Sequence, residues 1–310
     1  MLEEKNLILK KINRFKLYLD KKDTGISQTL MKGKFFKKWH REPEFMDIIE
    51  SEVHEGDVAF DLGANIGYVT IHLAEYVGEK GKVYAIEPSP RNFEILTKTI
   101  LVNKLEKIVK VEPYAISSRS GQRELNISDE SNLNSFVKTK YTKNTIKVDT
   151  VSIDDYFTDK RFPNFIKMDI EGAEVDALAG ISKILENDSC MKILMEIHPM
   201  YYDKDAFSIQ LERLFKLGFY TKYLVSAGVS EPDYFKKLGY KPFKTYITGN
   251  FTRGIYKNIS NEHVVESCSN LFPNQMSGLN WLSILKRPHT FFSRRVASPK
   301  IVRSIMLQRD

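Results

Sequence analysis

Cysteine is nearly missing from these 310 residues: Cys190 and Cys268 are the only two. Two thiols cannot build a disulfide framework, and neither stands in a Cys-x-x-Cys or Cys/His spacing that would hold zinc. Both read as buried free thiols. Also missing is any run of about 18 to 20 apolar residues, the length a membrane-spanning helix needs. The opening MLEEKNLILKKINRF lacks the continuous apolar core of a secretory signal, so the expected compartment is cytoplasmic. There is no internal repeat and no low-complexity tract.

Even charge is lacking as well. The formal net charge is +7, yet residues 1–41 hold 12 Lys/Arg against 4 Asp/Glu and residues 286–310 hold 7 against 1, leaving about −7 on the 244 residues between. Basic ends on an acidic body can meet phosphate, nucleic acid or an anionic membrane, or can simply stay solvated.

What is present is an alternation of short apolar runs with helical patterns. Strands are expected at Asp57–Asp61, Lys82–Glu87, Ile108–Pro113, Phe165–Asp169 and Lys192–Ile197, and helices at Ile66–Tyr76, Pro90–Asn103 and Glu174–Leu185. That order predicts an α/β fold with a mostly parallel sheet and helices on both faces, its ligand at the carboxyl ends of the strands. Residues 114–150 break the alternation and read as an antiparallel insertion or flap. A helix over 205–218 ends at Gly218 and leads into the strand Phe219–Val225. Past 226 no period is visible. The expected organisation is a basic lead-in over 1–45, the main domain over 46–225, and an irregular C-terminal extension or lid with a basic tail over 226–310.

The first strand runs into DLGANIG, residues 61–67. A strand, a glycine turn and a helix bring backbone N–H groups close to a ligand. A dinucleotide fingerprint would want glycine at 63, 65 and 68, where Gly63, Asn65 and Tyr68 stand. The pattern is instead Asp61-x-Gly63-x-Asn65-x-Gly67, with an asparagine that tolerates a left-handed backbone. Asp61 suits an ammonium or an ordered water and would repel a pyrophosphate. Glu87, one βαβ step later, suits a ribose diol. Together these residues indicate an adenosyl cofactor.

Two further strand ends carry polar groups. IKMDIEGAE places Asp169, Glu171 and Gly172 in a turn, and ILMEIHP places Glu196 and His198 on one side of its strand. The bland alternatives are charge compensation at a helix N-terminus and a structural hydrogen-bonded pair.

Taken with Ala85-Ile86-Glu87-Pro88, these four ordered motifs resemble the FkbM family of S-adenosylmethionine-dependent methyltransferases. The likeness covers about residues 15–225 and includes DTGIS at 23–27 and REPEF at 41–45. It implies a class I methyltransferase, Rossmann-like fold and methyl transfer to hydroxyl groups of sugars, glycolipids or secondary metabolites. It also implies that Asp61, Gly63, Asn65, Gly67 and Glu87 bind the cofactor, with Glu42 as a further candidate.

Methyl transfer to an alcohol needs alignment and a base. His198 is the expected base because its ordinary pKa lies near neutrality, with Glu196 to orient it and Asp169 as second choice. Glu171 joins them as a catalytic candidate. Asp169, Glu196 and His198 are also of the ligand type for a divalent metal. Tail aromatics Tyr234, Phe235, Tyr240, Phe243 and Tyr246 fit core packing or sugar stacking. The interleaved Trp281, Leu282, Lys286, Arg287, Phe291, Phe292, Arg294 and Arg295 fit a packed tail or peripheral membrane contact. The rival functions are an RNA ribose methyltransferase and a noncatalytic cofactor-fold binding subunit. An acidic turn at MDIEGAE argues against a nucleic acid acceptor.

Overall fold

The N-terminal basic stretch is a hairpin. In the computed structural model, which describes residues 4–33, 41–158, 161–186, 190–228, 234–248, 251–271 and 300–310, β1 (Leu7–Ile12) pairs antiparallel with β2 (Phe15–Asp20). The period of two in β2 buries Phe15, Leu17 and Leu19 and leaves Lys16 outside. Helices α1 (Ile26–Lys32) and α2 (Pro43–Glu52) follow, with Pro43 in the first turn of α2, where its missing N–H costs no bond.

The expected alternation then appears: β3 (Val58–Leu62), α3 (Tyr68–Val77), β4 (Lys82–Ile86), α4 (Pro90–Val102) and β5 (Val109–Glu112). All of β3 is buried because both sheet faces are covered. Ala59 packs on the α2 and α3 side, while Phe60 points the other way and stacks on Tyr156 with ring centroids 5.2 Å apart. The insertion forms a small separate sheet of β6 (Ala115–Ile116), β7 (Gly121–Ser128) and β8 (Thr142–Val151), with β7 antiparallel to β8 and β6 parallel to it. Helix α5 (Ile153–Tyr156) leads to β9 (Phe165–Met168).

The single helix expected over 174–185 is two: α6 (Glu174–Ala179) and α7 (Ser182–Glu186). The break falls at Gly180, where a Cβ would lie 2.6 Å from the Ser117 carbonyl oxygen, so the chain turns there against the small sheet. Beyond come β10 (Met191–Glu196), α8 (Lys204–Lys216) and β11 (Tyr220–Ser226), with Gly218 at φ +85 closing α8 as anticipated.

The stretch after 226 is where expectation and structure part. It holds α9 (Tyr234–Lys237), β12 (Lys244–Thr248), β13 (Phe251–Tyr256), α10 (Asn261–Ser269) and β14 (Val302–Arg309). Its three strands belong to one nine-stranded sheet, ordered β12-β13-β11-β14-β10-β9-β3-β4-β5. The extension is therefore not irregular in its described part. The main sheet does not close at residue 225, because β14 lies between β10 and β11, antiparallel to both. Its pattern was hidden because β14 is buried almost throughout and so does not alternate, while β12 lies at the sheet edge with Ile247 79% exposed. Of the tail aromatics, Phe235 is fully buried, Tyr240 bonds His263, Tyr246 bonds Asp47, and Phe243 is exposed. Residues Trp281 to Arg295 lie outside the described residues. No helix among the described residues is long and apolar enough to cross a membrane.

The strands β10, β9, β3, β4 and β5 are mutually parallel, and strand order reverses between β3 and β9. In such sheets the crevice opens at the carboxyl ends flanking the reversal. Here those ends are Leu62 and Met168, so the chain leaves the sheet at Gly63 and Asp169 side by side.

Candidate functional site

The glycine turn is built for close approach. Gly63, Asn65 and Gly67 all have positive φ, at +74, +51 and +92. A Cβ on Gly63 would stand 2.0 Å from the carbonyl oxygen of Asp169, so the turns after β3 and β9 touch through bare backbone. Gly67 caps α3, and a Cβ there would meet Leu96 at 2.7 Å, which gives it a packing role behind the turn. Asn65 holds its left-handed turn by accepting from the Ile66 N–H at 2.8 Å.

Glu87 lies at the pocket wall. One carboxylate oxygen accepts from the Asn65 N–H and the other from the Ser89 N–H, each at 2.9 Å. Each oxygen keeps acceptor capacity for a vicinal diol. Burial pushes the carboxyl up to about 7.

Asp61 meets an ammonium, as its place at the strand end suggests, and the ammonium is the protein's own. It is fully buried: Lys167 Nζ lies 3.0 Å away and the Thr70 hydroxyl donates to it at 2.6 Å. Lys167 also donates to the Gly63 carbonyl at 2.9 Å. Asp61 thus braces the turn from beneath, through a lysine that the sequence reading did not single out. Desolvation opposes the charge on Lys167, and Asp61 and Asp169 outweigh it.

The DTGIS stretch anchors the insertion over this turn. Asp23 accepts from the N–H and the hydroxyl of Ser131, both at 2.9 Å, and from the Ser27 N–H at 2.7 Å. The Ser131 carbonyl in turn accepts from Asn65 and Asn92, each at 3.2 Å. Across the pocket, the Ser135 hydroxyl donates to the Glu171 carbonyl at 2.6 Å.

Beside the crevice, His198 gathers the acidic groups. Its Nδ1 is 2.7 Å from Glu174 Oε1, both side chains being buried. Its Nε2 faces Glu171, Glu196 and Asp169 at 3.6, 3.7 and 3.9 Å. Glu171 adopts φ +47, uncommon for a side-chain-bearing residue and typical of a constrained site. Burial opposes a charge on His198, but Glu171 and Glu174 prevail and push it up to about 9. Burial, with His198 opposing, carries Glu171 up to about 8 and raises Asp169, which Glu196 raises further.

Two expectations change here. Glu174, rather than Glu196, orients the imidazole, and the imidazole does not rest near neutrality. Glu196 is occupied by two cations of the last strand region: Lys300 Nζ at 2.8 Å and Arg303 Nη1 at 3.3 Å. Burial would raise its carboxyl, but Arg303 and Lys300 hold it well below the usual range.

Asp169, Glu196 and His198 do bring one ligand-type atom each within 4.8 Å of one another. A divalent ion nevertheless suits this set poorly. The Glu196 oxygen nearest His198 already carries an ammonium and a guanidinium, so side chains supply positive charge there.

Glu42 caps α2 and lines the same pocket as Gly63, Asn65, Glu87, Asp169 and Glu171. Arg303 Nη2 donates to it at 2.6 Å. Against burial, Arg41 and Arg303 hold its carboxyl low. The pocket thus brings together a buried diol acceptor in Glu87, the charged pair Arg41 and Glu42, and the bare backbone of Gly63. That donor set fits S-adenosylmethionine, which presents a ribose diol, a charged amino-acid arm and a cationic sulfur.

Comparison with known proteins agrees with this chemistry. The family model described as "Methyltransferase FkbM domain" matches residues 61–241. The hexuronic acid methyltransferase AglP of Haloferax volcanii is 30% identical over 167 residues, 53% of this chain. That match spans 66% of the relative, just under two thirds of its length. Among solved structures, a methyltransferase FkbM from Methylobacillus flagellatus aligns with TM-score 0.37 and 22% identity over 52% of this chain and 37% of that one. Methanocaldococcus jannaschii TYW2 in complex with AdoMet aligns with TM-score 0.39 and 17% identity over 84% and 90%.

Proposed function

This chain belongs to the FkbM family of S-adenosylmethionine-dependent methyltransferases, and from that premise we propose that it methylates a hydroxyl group of a sugar or glycan. The observation that carries this reading is the imidazole of His198. Glu174 fixes its Nδ1, and its Nε2 opens onto Asp169 and Glu171 at the pocket wall.

Bound S-adenosylmethionine supplies a methyl group on a sulfonium, and transfer to a hydroxyl forms a C–O bond as the C–S bond breaks. The chain's own residues do the rest. Glu87 would accept hydrogen bonds from the ribose diol, and Arg41 and Glu42 would receive the amino-acid arm. His198 Nε2, in its neutral form, takes the hydroxyl proton, while the Nδ1–H donated to Glu174 fixes the tautomer and steadies the charge that forms. Alignment of two reactants lowers a barrier by about 7 to 11 kcal/mol, and a positioned base adds about 10² to 10⁴ in rate, so most of the task is positioning.

A sugar acceptor is supported by the abundance of acceptors at the rim. Asp169 and Glu171 can each receive a hydroxyl neighbouring the one methylated. A hexuronic acid, the substrate class in the name of AglP, offers hydroxyls and a carboxylate. Methylating a carboxylate needs no base, so an imidazole held with Nε2 beside Asp169 and Glu171 favours the hydroxyl as the target. The test is transfer of labelled methyl from S-adenosylmethionine into glycan and glycolipid extracts of the host. An alkali-stable methyl ether on a sugar is expected. An alkali-labile ester, or label in RNA alone, would replace this reading.

A further inference from the structure

The cations that join Glu42 of the pocket wall to Glu196 beside His198 lie outside the stretch the family model matches. Arg303, on β14, reaches three carboxylates with one guanidinium. Nη2 donates to Glu42 at 2.6 Å, Nε lies 3.4 Å from Glu44, and Nη1 lies 3.3 Å from Glu196. Lys300 adds a 2.8 Å bond to the same Glu196 oxygen and a 3.1 Å bond to the Ile197 carbonyl. Arg253 of β13 pairs with Glu44, whose side chain is fully buried.

Three elements far apart in sequence thus meet at one cation: the start of α2, the end of β10 and the returning β14. Glu42 belongs to the wall of the cofactor pocket, whereas Glu196 stands 3.7 Å from His198 Nε2. Without a cation between them the two carboxylates repel. Each carboxylate has a second cation, Arg41 for Glu42 and Lys300 for Glu196, but Arg303 is the one that touches both, and a buried charge that loses a partner is costly.

We propose that Arg303 is a positioning residue that couples the methyl-donor wall to the acceptor wall, holding Glu42 at the pocket and, with Lys300, Glu196 beside His198. The proposal rests on the reading of the pocket as a methyl-donor site. It gives the last strand a part in the reaction: the chain must close its sheet with β14 before the donor side is complete. Lys300 and Arg303 both keep Glu196 ionised, but only Arg303 also bonds Glu42, so the two cations are not interchangeable.

The test needs no knowledge of the acceptor. S-adenosylmethionine binding to the full chain is measured by calorimetry for wild type, Arg303→Gln, Glu196→Gln and the double variant, with thermal melts to confirm folding. Arg303→Gln is expected to weaken binding about tenfold or more, the scale of losing one partner of a buried charge pair. Adding Glu196→Gln, which removes the carboxylate that repels Glu42 across the guanidinium, should restore much of that loss. A merely structural Arg303 would give additive losses and no rescue, and that outcome overturns the proposal, as does wild-type affinity in folded Arg303→Gln. If Arg303→Gln does not fold, Arg303→Lys serves, since an ammonium keeps the charge without the fork that spans two walls. Wild type that binds no S-adenosylmethionine sinks the methyl-donor reading itself, an outcome separate from loss of coupling.

Discussion

Glu174 holds His198 by Nδ1 at 2.7 Å, from a helix that starts two residues after Gly172 of the acidic turn. The pair fixes which ring nitrogen is free, and therefore which side of the imidazole can work. His198→Ala should leave S-adenosylmethionine binding intact and lower methyl transfer by about 10² or more. Glu174→Gln should keep the ring in place but remove the charge that steadies the imidazolium, with a smaller loss. Turnover of His198→Ala close to wild type would remove the imidazole from the chemistry.

The pH profile follows from the same pair. Glu171 and Glu174 raise His198 to about 9, so at pH 7 the proton-accepting form is a minor one. A base must be deprotonated to act. Donor-side kcat/KM, which reports the enzyme before the donor binds, should therefore climb with pH, about tenfold per unit, and level off near pH 9. Because the donor carries a positive charge, its arrival should lower the His198 pKa, so kcat, which reports the loaded enzyme, should level off at lower pH. A rate that is flat between pH 6 and 9 contradicts a His198 base.

The glycine turn and its acidic wall are legible in the sequence, and the surroundings of His198 only partly so. Gly63, Asn65, Gly67 and Glu87 show themselves because a strand followed by a left-handed turn leaves a local pattern of short range. His198 and Asp169 show themselves as polar residues at the ends of apolar runs. Glu174 does not, since an acidic residue in the first turn of a helix has an ordinary explanation in the helix dipole. Lys167 stands inside a strand whose four residues are all buried, and only its pairing with Asp61, 106 positions earlier, accounts for it. Lys300 and Arg303 were counted with a basic tail because composition carries no register. The strand that carries Arg303 begins two residues after Lys300 and is interior on both faces, so neither alternation nor turn chemistry marks it.

Chelation should leave the enzyme unaffected. Lys300 and Arg303 already neutralise the one carboxylate a metal would share with Asp169 and His198. Methyl transfer after dialysis against EDTA is expected to match the untreated protein, with no gain on adding Mg²⁺ or Mn²⁺. Loss of activity with EDTA and its return with a divalent ion would make Asp169, Glu196 and His198 metal ligands after all.

Lys167 separates bracing from binding. Its ammonium sits between Asp61 and the Gly63 carbonyl, and both charged side chains are essentially removed from water. Lys167→Met keeps the length and apolar stem of the side chain but leaves Asp61 with the Thr70 hydroxyl as its remaining hydrogen-bond donor. Breaking a buried pair on one side costs about 3 to 5 kcal/mol, because the surviving charge is uncompensated. Replacing both members, as Asp61→Asn with Lys167→Met, should recover much of that stability, since the penalty comes from the orphaned charge rather than from a lost attraction. Denaturant unfolding of the two single variants and the double variant measures the difference. If Asp61 instead contacted the cofactor directly, Lys167→Met would fold normally and Asp61→Asn would lose S-adenosylmethionine binding without loss of stability, the reverse of what the buried pair predicts.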